Sequence, residues 1–134
     1  MSEEEVRQKV AALQQLQLQA EVLQRRVVEL ELLLSEYNRT LETLEYFNSI
    51  EGDVEALMNL GGGVFAYVDI RENKKFLVDV GAGVVVEREV SEAIDFIKKK
   101  ISRVEEAINQ TSAALQEILQ RAAKIQEELA KSEK

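Results

Sequence analysis

Apolar residues recur in alternating steps of three and four over two long stretches of the chain. In the first they fall at Leu16, Ala20, Leu23, Val27, Leu30, Leu34, Tyr37, Leu41 and Leu44. In the second they fall at Ile94, Ile97, Ile101, Val104, Ile108, Leu115, Ile118, Ala122, Ile125 and Leu129, with polar Thr111 in the one gap. Such steps mark the a/d seam of a coiled coil. Set antiparallel, the two stretches keep step: Leu44 with Ile94, Leu41 with Ile97, Tyr37 with Ile101, Leu34 with Val104, and so on down to Leu13 with Ile125. Two unrelated helices would not hold one register over so many positions. The pattern predicts two long helices folded back on each other, a rod with both termini at one end.

Between the helices the period changes. Four short segments, about Glu55 to Leu60, Val64 to Arg71, Lys75 to Val80 and Val84 to Glu89, are rich in β-prone residues. Gly61-Gly62-Gly63, Glu72-Asn73-Lys74 and Gly81-Ala82-Gly83 separate them as turn signals, which predicts two β-hairpins. Ser2 ahead of Glu3, Glu4 and Glu5 predicts a capped start to the first helix, and Ser91 ahead of Glu92 and Asp95 to the second. No proline or glycine interrupts Val6 to Ile50, where about 45 residues at ~1.5 Å each make a helix of roughly 65–70 Å. Gly52-Asp53 ends it. The second helix runs to about Ala130, with Lys131 to Lys134 fraying. The chain reads as a single α+β domain over 1–134: a coiled-coil helix over 1–50, a hairpin insert over 54–90 and a coiled-coil helix over 91–131.

Two places in this frame point to interactions. In the insert, Val64, Ala66, Val68 and Ile70 share one strand face, while Phe65 and Tyr67 share the other. Strands apolar on both faces need cover on both, and the ends of two helices are too small to provide it. Isolated hairpins are marginal in water, and open edges pair with other chains. The expected oligomerisation surface is therefore Val64, Ala66, Val68, Ile70, Phe76, Val78, Val80, Val84 and Val86. At the other end, Val10, Leu13 and Leu16 follow one another in two steps of three, a stammer in the heptad. Gln14, Gln15, Gln17 and Gln19 crowd the same stretch, so the seam reads as weakest near the termini.

Composition narrows the chemistry. In 134 residues, 17 Lys and Arg face 25 Asp and Glu, for a net charge of −8. Nucleic acid and anionic membrane surfaces ask for a basic footprint, so neither is an expected partner. The chain has no cysteine and no histidine. Disulfides, thiolate metal sites and the commonest general base are therefore excluded, which disfavours an enzyme. No apolar run approaches the ~20 residues of a membrane-spanning helix, and the acidic start is not signal-like, so a cytoplasmic location is expected. Gly61-Gly62-Gly63 is followed by Val64-Phe65 and a strand, without the Lys-Ser/Thr and helix of a phosphate loop. Gly81-Ala82-Gly83 lacks the third glycine and the helix of a dinucleotide fingerprint. Both are turns. Glu105-Glu106 and Glu127-Glu128 point in different directions on a helix and read as solvated faces. No cofactor or metal is expected.

The chain reads Leu60-Gly61-Gly62-Gly63, then Asp79-Val80-Gly81-Ala82-Gly83-Val84-Val85-Val86-Glu87, then Ala93-Ile94-Asp95-Phe96-Ile97. Flanked by two heptad helices, this order resembles the α class of prefoldin subunits, along the whole chain. The family usually carries a proline just before the first glycine turn, where this chain has Asn59. The resemblance implies a hetero-hexamer of two α and four β subunits, with the hairpins building a β-barrel platform from which coiled coils project. It implies an ATP-independent holdase that captures unfolded polypeptides and passes them to a group II chaperonin. The client surface is then expected at the coiled-coil tip, from Val6, Val10, Leu13, Leu16, Leu18, Ile125 and Leu129. The alternative is a structural coiled-coil spacer or oligomerisation module without client binding.

Overall fold

The computed structural model describes residues 1–132. The elements run α1 (Glu3–Ser49), β1 (Val54–Gly61), β2 (Val64–Ile70), β3 (Lys75–Gly81), β4 (Val84–Glu89) and α2 (Val90–Ser132). These are the expected two long helices with two hairpins between them. α1 begins as Ser2 predicts: the backbone N–H of Glu5 donates to the Ser2 hydroxyl at 3.2 Å. α2 begins one residue early, so Ser91 lies inside its first turn rather than at its cap. The helix follows β4 without a loop, and the backbone N–H of its first residue, Val90, donates to the Lys74 carbonyl at 2.8 Å. Lys131 and Ser132 are helical; the fraying expected at Glu133 and Lys134 lies outside the described residues.

The described residues form two compact units, one of residues 1–35 with 103 onward, the other Glu36–Ser102. In the first unit the helices pack along their apolar stripes. Leu16, Ala20, Leu30, Val104 and Ala122 are buried. Leu13, Leu23, Val27, Ile108, Thr111, Leu115, Ile118, Ile125 and Leu129 are half-buried. A stripe buried every three to four residues while the rest of the helix stays wet is the signature of an a/d seam.

Toward the termini the structure corrects the expected stammer. α1 runs unbroken, and the alternation of steps continues from Leu16 through Leu13 and Lys9 to Val6. Lys9, not Val10, occupies the seam position. Its aliphatic stem lies half-buried while its ammonium pairs with the Glu128 carboxylate across the helix pair. A long cationic side chain can do both, since stem and head want different surroundings. Val10 falls outside the seam and is 40% exposed.

In the second unit Leu44, Val90, Ala93 and Ile94 form a buried cluster, with Leu41, Ile97, Phe76 and Val78 packed against it. Two of the pairs expected from the heptads, Leu44 with Ile94 and Leu41 with Ile97, thus meet in one cluster. The Lys100 ammonium sits 5.4 Å from the centre of the Tyr37 ring and 4.7 Å from that of Phe96. The end of α1 is tied to the segment between β2 and β3. The Lys74 ammonium donates to the carbonyls of Phe47 and Ile50. A cation at a helix C-terminus satisfies carbonyls left without an intrahelical donor and opposes the negative end of the dipole. Asn73, buried, donates to the Gly52 carbonyl at 2.7 Å.

The hairpins are two separate two-stranded antiparallel sheets, β1 with β2 and β3 with β4. Both turn the same way. Gly61 pairs with Val64 and Gly81 with Val84, leaving two central residues each time. Those residues all have positive φ: Gly62 +60° and Gly63 +81° in the first, Ala82 +53° and Gly83 +76° in the second. Two positive φ values give the turn whose twist matches its strands. A register shift precedes each turn, between Asn59 and Gly61 and between Asp79 and Gly81. There the Gly61 N–H donates to Asn59 Oδ1 at 2.8 Å, and the Gly81 N–H to Asp79 Oδ1 at 2.9 Å. Asn59, where a proline was expected, serves the first turn as Asp79 serves the second.

Candidate functional site

The hairpins divide the expected oligomerisation residues into three groups. Phe76 and Val78 point inward and pack on the buried cluster of the chain's own helices. The Phe76 ring lies 5.5 Å, centre to centre, from that of Phe47. One face of β3 is therefore covered within the chain, while its other face is left uncovered. Ala66, Val68, Ile70 and Val86 are half-buried. On β2, Ala66 pairs with Met58, Val68 with Ala56 and Ile70 with Val54, so these side chains gather on one face of the first hairpin. Val64, Val80 and Val84, beside the turns, stand exposed.

The opposite faces hold the residues that sequence reasoning left off the oligomerisation surface. Tyr67 is 81% exposed and sits across from Leu57, while Phe65 sits across from Asn59. Leu77 is 75% exposed on β3, and Val85 is exposed on β4. The strand alternation already set Phe65 and Tyr67 on the face opposite Val64, Ala66, Val68 and Ile70. What it lacked was the side the helices cover. Each hairpin also has two unpaired edges, since neither sheet has a third strand. Exposed aromatic and aliphatic side chains beside open edges are the features that invite pairing with further strands. Beside it, a groove of about 310 Å³ between β3 and the helices is lined by Leu44, Phe76, Val78, Phe96, Ile97 and Lys100.

The expected client residues also separate. Leu16 is buried in the seam. Val6, Leu13, Ile125 and Leu129 are half-buried along it. Val10 and Leu18 stand exposed, outside the seam. Lys9 and Glu128 are the charged pair in their midst. The Lys9 ammonium, through its hydrogen bond and its charge, holds the Glu128 carboxyl below the usual carboxylate range. This pair, missed from the sequence, was legible in one respect: Lys9 completes the alternation of steps that Val10 breaks.

Among the described residues no three His, Cys, Asp or Glu side chains converge as metal ligands would. None of the helices there is long and apolar enough to cross a membrane.

Comparison with known proteins places this architecture. The family model described as prefoldin subunit matches residues 4–134. The chain is 60% identical to the prefoldin subunit alpha of Archaeoglobus fulgidus over 96% of this chain and 94% of that one. It is 36% identical to the prefoldin subunit alpha of Pyrococcus horikoshii, over 84% of this chain and 76% of the relative. Among solved structures it shares its fold with a chain of filamentous PFD from Methanocaldococcus jannaschii. The TM-score there is 0.72 at 21% identity, covering 90% of this chain and 98% of the other. Two heptad helices joined through two exposed hairpins, a match along nearly the whole sequence and close relatives of one name lead to one assignment: the chain belongs to the prefoldin family, with its α subunits.

Proposed function

We propose that this chain is the α-type subunit of an ATP-independent holdase, joined through its hairpins to β-class prefoldin subunits in a cytoplasmic hexamer of two α and four β chains. The observation that carries the reading is the uncovered hairpin surface, where Leu57, Phe65, Tyr67, Leu77 and Val85 stand exposed beside four open strand edges. A chain that keeps such a surface in water needs strands from other subunits to cover it. Assembly then leaves the end of the helix pair near the termini free. Val6, Val10, Leu13, Leu18, Ile125 and Leu129 offer unfolded polypeptide an apolar contact there, with Leu16 beneath them. Burying one Leu or Ile gains about 1.5–3 kcal/mol, so a few per subunit give weak, reversible capture. Several subunits acting together raise the avidity. A group II chaperonin is the proposed recipient of the captured chain. No step requires a nucleotide or a catalytic group.

The test is light scattering of a chemically denatured client diluted into the complex of this chain with a β-class partner, without ATP. A holdase suppresses the aggregation. Removing residues 1–13 and 122–134 is expected to leave the complex mass unchanged apart from the missing segments, and to weaken suppression without abolishing it. Full protection by the truncated complex would move the client site elsewhere. A specific observation favours the second reading, a structural spacer: Lys9 and Glu128 pair across the seam where it was expected to be weakest. A spacer would leave the client aggregating at its unassisted rate.

A further inference from the structure

The helix pair is held together differently near the termini than elsewhere. Leu16 and Ala122, level with each other in the register, are the last buried seam residues before the chain ends. Beyond them Val6, Leu13, Ile125 and Leu129 are only half-buried. In their midst Lys9 takes a seam step and pairs with Glu128. Among the described residues this is the one side-chain hydrogen bond between α1 and α2, and the one ion pair between them. The other ion pairs there join residues three or four apart in sequence.

An ion pair is an odd closure for a seam. The side chains of Lys9 and Glu128 are 33% and 38% exposed, so water and salt reach them. Such a pair holds weakly, whereas an aliphatic side chain at the same step would seal the seam outright. Parting the pair also strands neither charge. Lys124 and Lys131 stand one turn to either side of Glu128 on α2 and already act on its carboxyl. Glu5 stands one turn before Lys9 on α1. Each charge therefore has an opposite one within reach on its own helix. The contact is built to open and close.

We propose that the Lys9–Glu128 pair is a latch on this end of the helix pair. Closed, it keeps Val6, Leu13, Ile125 and Leu129 turned into the seam. Its release offers them to non-native polypeptide. The latch rests on the holdase reading and adds to it a control on when the apolar contact is available. It also gives the pair a role that a permanent spacer has no use for.

The experiment uses the full complex with a cysteine-free β-class partner. The chain has no cysteine of its own, so Ala11→Cys and Ala123→Cys, both at exposed positions, carry a spin label on each helix. Labelled chain is diluted with unlabelled chain, so that the distance read is across one helix pair. The binding probe is reduced and carboxymethylated lactalbumin, unfolded and acidic. Lys9→Glu sets two carboxylates against each other. It is expected to lengthen and broaden the distance and to tighten probe binding about twofold, although the added negative charge alone would weaken it. Lys9→Leu seals the seam and is expected to narrow the distance and weaken binding about twofold. If Lys9 merely touched the client, leucine there would bind more tightly. The exchange Lys9→Glu with Glu128→Lys is expected to return both readings to those of the parent. An unchanged distance in Lys9→Glu, opening without a gain in binding, or tighter binding by Lys9→Leu would overturn the latch and leave the holdase reading standing. Failure of the unaltered complex to bind the probe at all would bring down both.

Discussion

At the scale of single residues, Ala82 is the clearest site of strain. It is the one non-glycine residue with positive φ among the described residues, at +53°. Its first-hairpin counterpart is Gly62, so the same turn is built with and without a Cβ. Left-handed backbone costs an L-residue about 1–2 kcal/mol, while glycine gives back part of that through its freer unfolded chain. Ala82→Gly is therefore expected to stabilise the second hairpin by about 0.5–1 kcal/mol, and Gly62→Ala to destabilise the first by a similar amount. Unfolding of the two variants beside the parent measures both. The Lys9–Glu128 pair makes a second residue-scale test. Because the Glu128 carboxyl is held below its usual range in the folded chain, the pair's stabilisation is full above the unfolded carboxyl's pKa. It is lost as pH falls through the folded value. Lys9→Met keeps an apolar stem in the seam and removes the partner. The thermal midpoint of the parent is thus expected to fall more steeply than that of the variant as pH drops from neutrality below the carboxylate range. Parallel profiles would mean that the pair contributes nothing measurable, as many exposed pairs do.

At the scale of elements, α1 shows how the face a residue falls on, rather than its type, decides its burial. Leu30 and Leu32 are two residues apart and chemically identical. Leu30 is 4% exposed and Leu32 is 68% exposed. Leu30→Ala leaves a cavity in the seam and is expected to cost about 2–5 kcal/mol. Leu32→Ala is expected to stay within about 0.5 kcal/mol of the parent. Chemical denaturation followed by helix signal separates the two. Similar losses would mean that the outer face is packed in the free chain. The hairpins repeat the lesson on β3, where Val78 faces the chain's own helices and Leu77 faces away. Charge at Val78 is expected to disturb a contact within the chain, whereas charge at Leu77 is expected to disturb only the proposed contact with other subunits.

At the scale of the whole molecule, the exposed hairpin faces outweigh any single contact. Tyr67→Asp together with Leu77→Asp is expected to dissociate the complex with β-class subunits and to leave the helix content of the chain intact. Val78→Asp is expected to lower the stability of the chain itself, since a charge without a partner in an apolar cluster costs several kcal/mol. Native mass measurement together with circular dichroism distinguishes these outcomes. A complex of unchanged mass carrying both Tyr67→Asp and Leu77→Asp would place the interface elsewhere, on the half-buried face of Ala66, Val68 and Ile70. The net charge of −8 acts at this scale too, keeping chains with exposed hairpins from indiscriminate association.

The sequence by itself determined what depends on local period and local backbone chemistry. Steps of three and four placed the helices and most of their seam, because each turn of helix repeats the same face. Alternation and glycine turns placed the four strands within a residue or two, because positive φ at Gly62, Gly63 and Gly83 is cheap only for glycine. Tertiary structure decided what depends on a neighbour distant in sequence. Lys9 takes the seam in place of Val10 because Glu128, on the other helix, stands ready to receive its charge. α2 starts at Val90 because the Lys74 carbonyl accepts its N–H, so Ser91 has no cap to make. Alternation showed that Val78 and Leu77 face opposite ways, yet both are apolar, and the pattern could not rank them. Leu44, Ala93 and Ile94 did, by covering Val78 and leaving Leu77 to solvent.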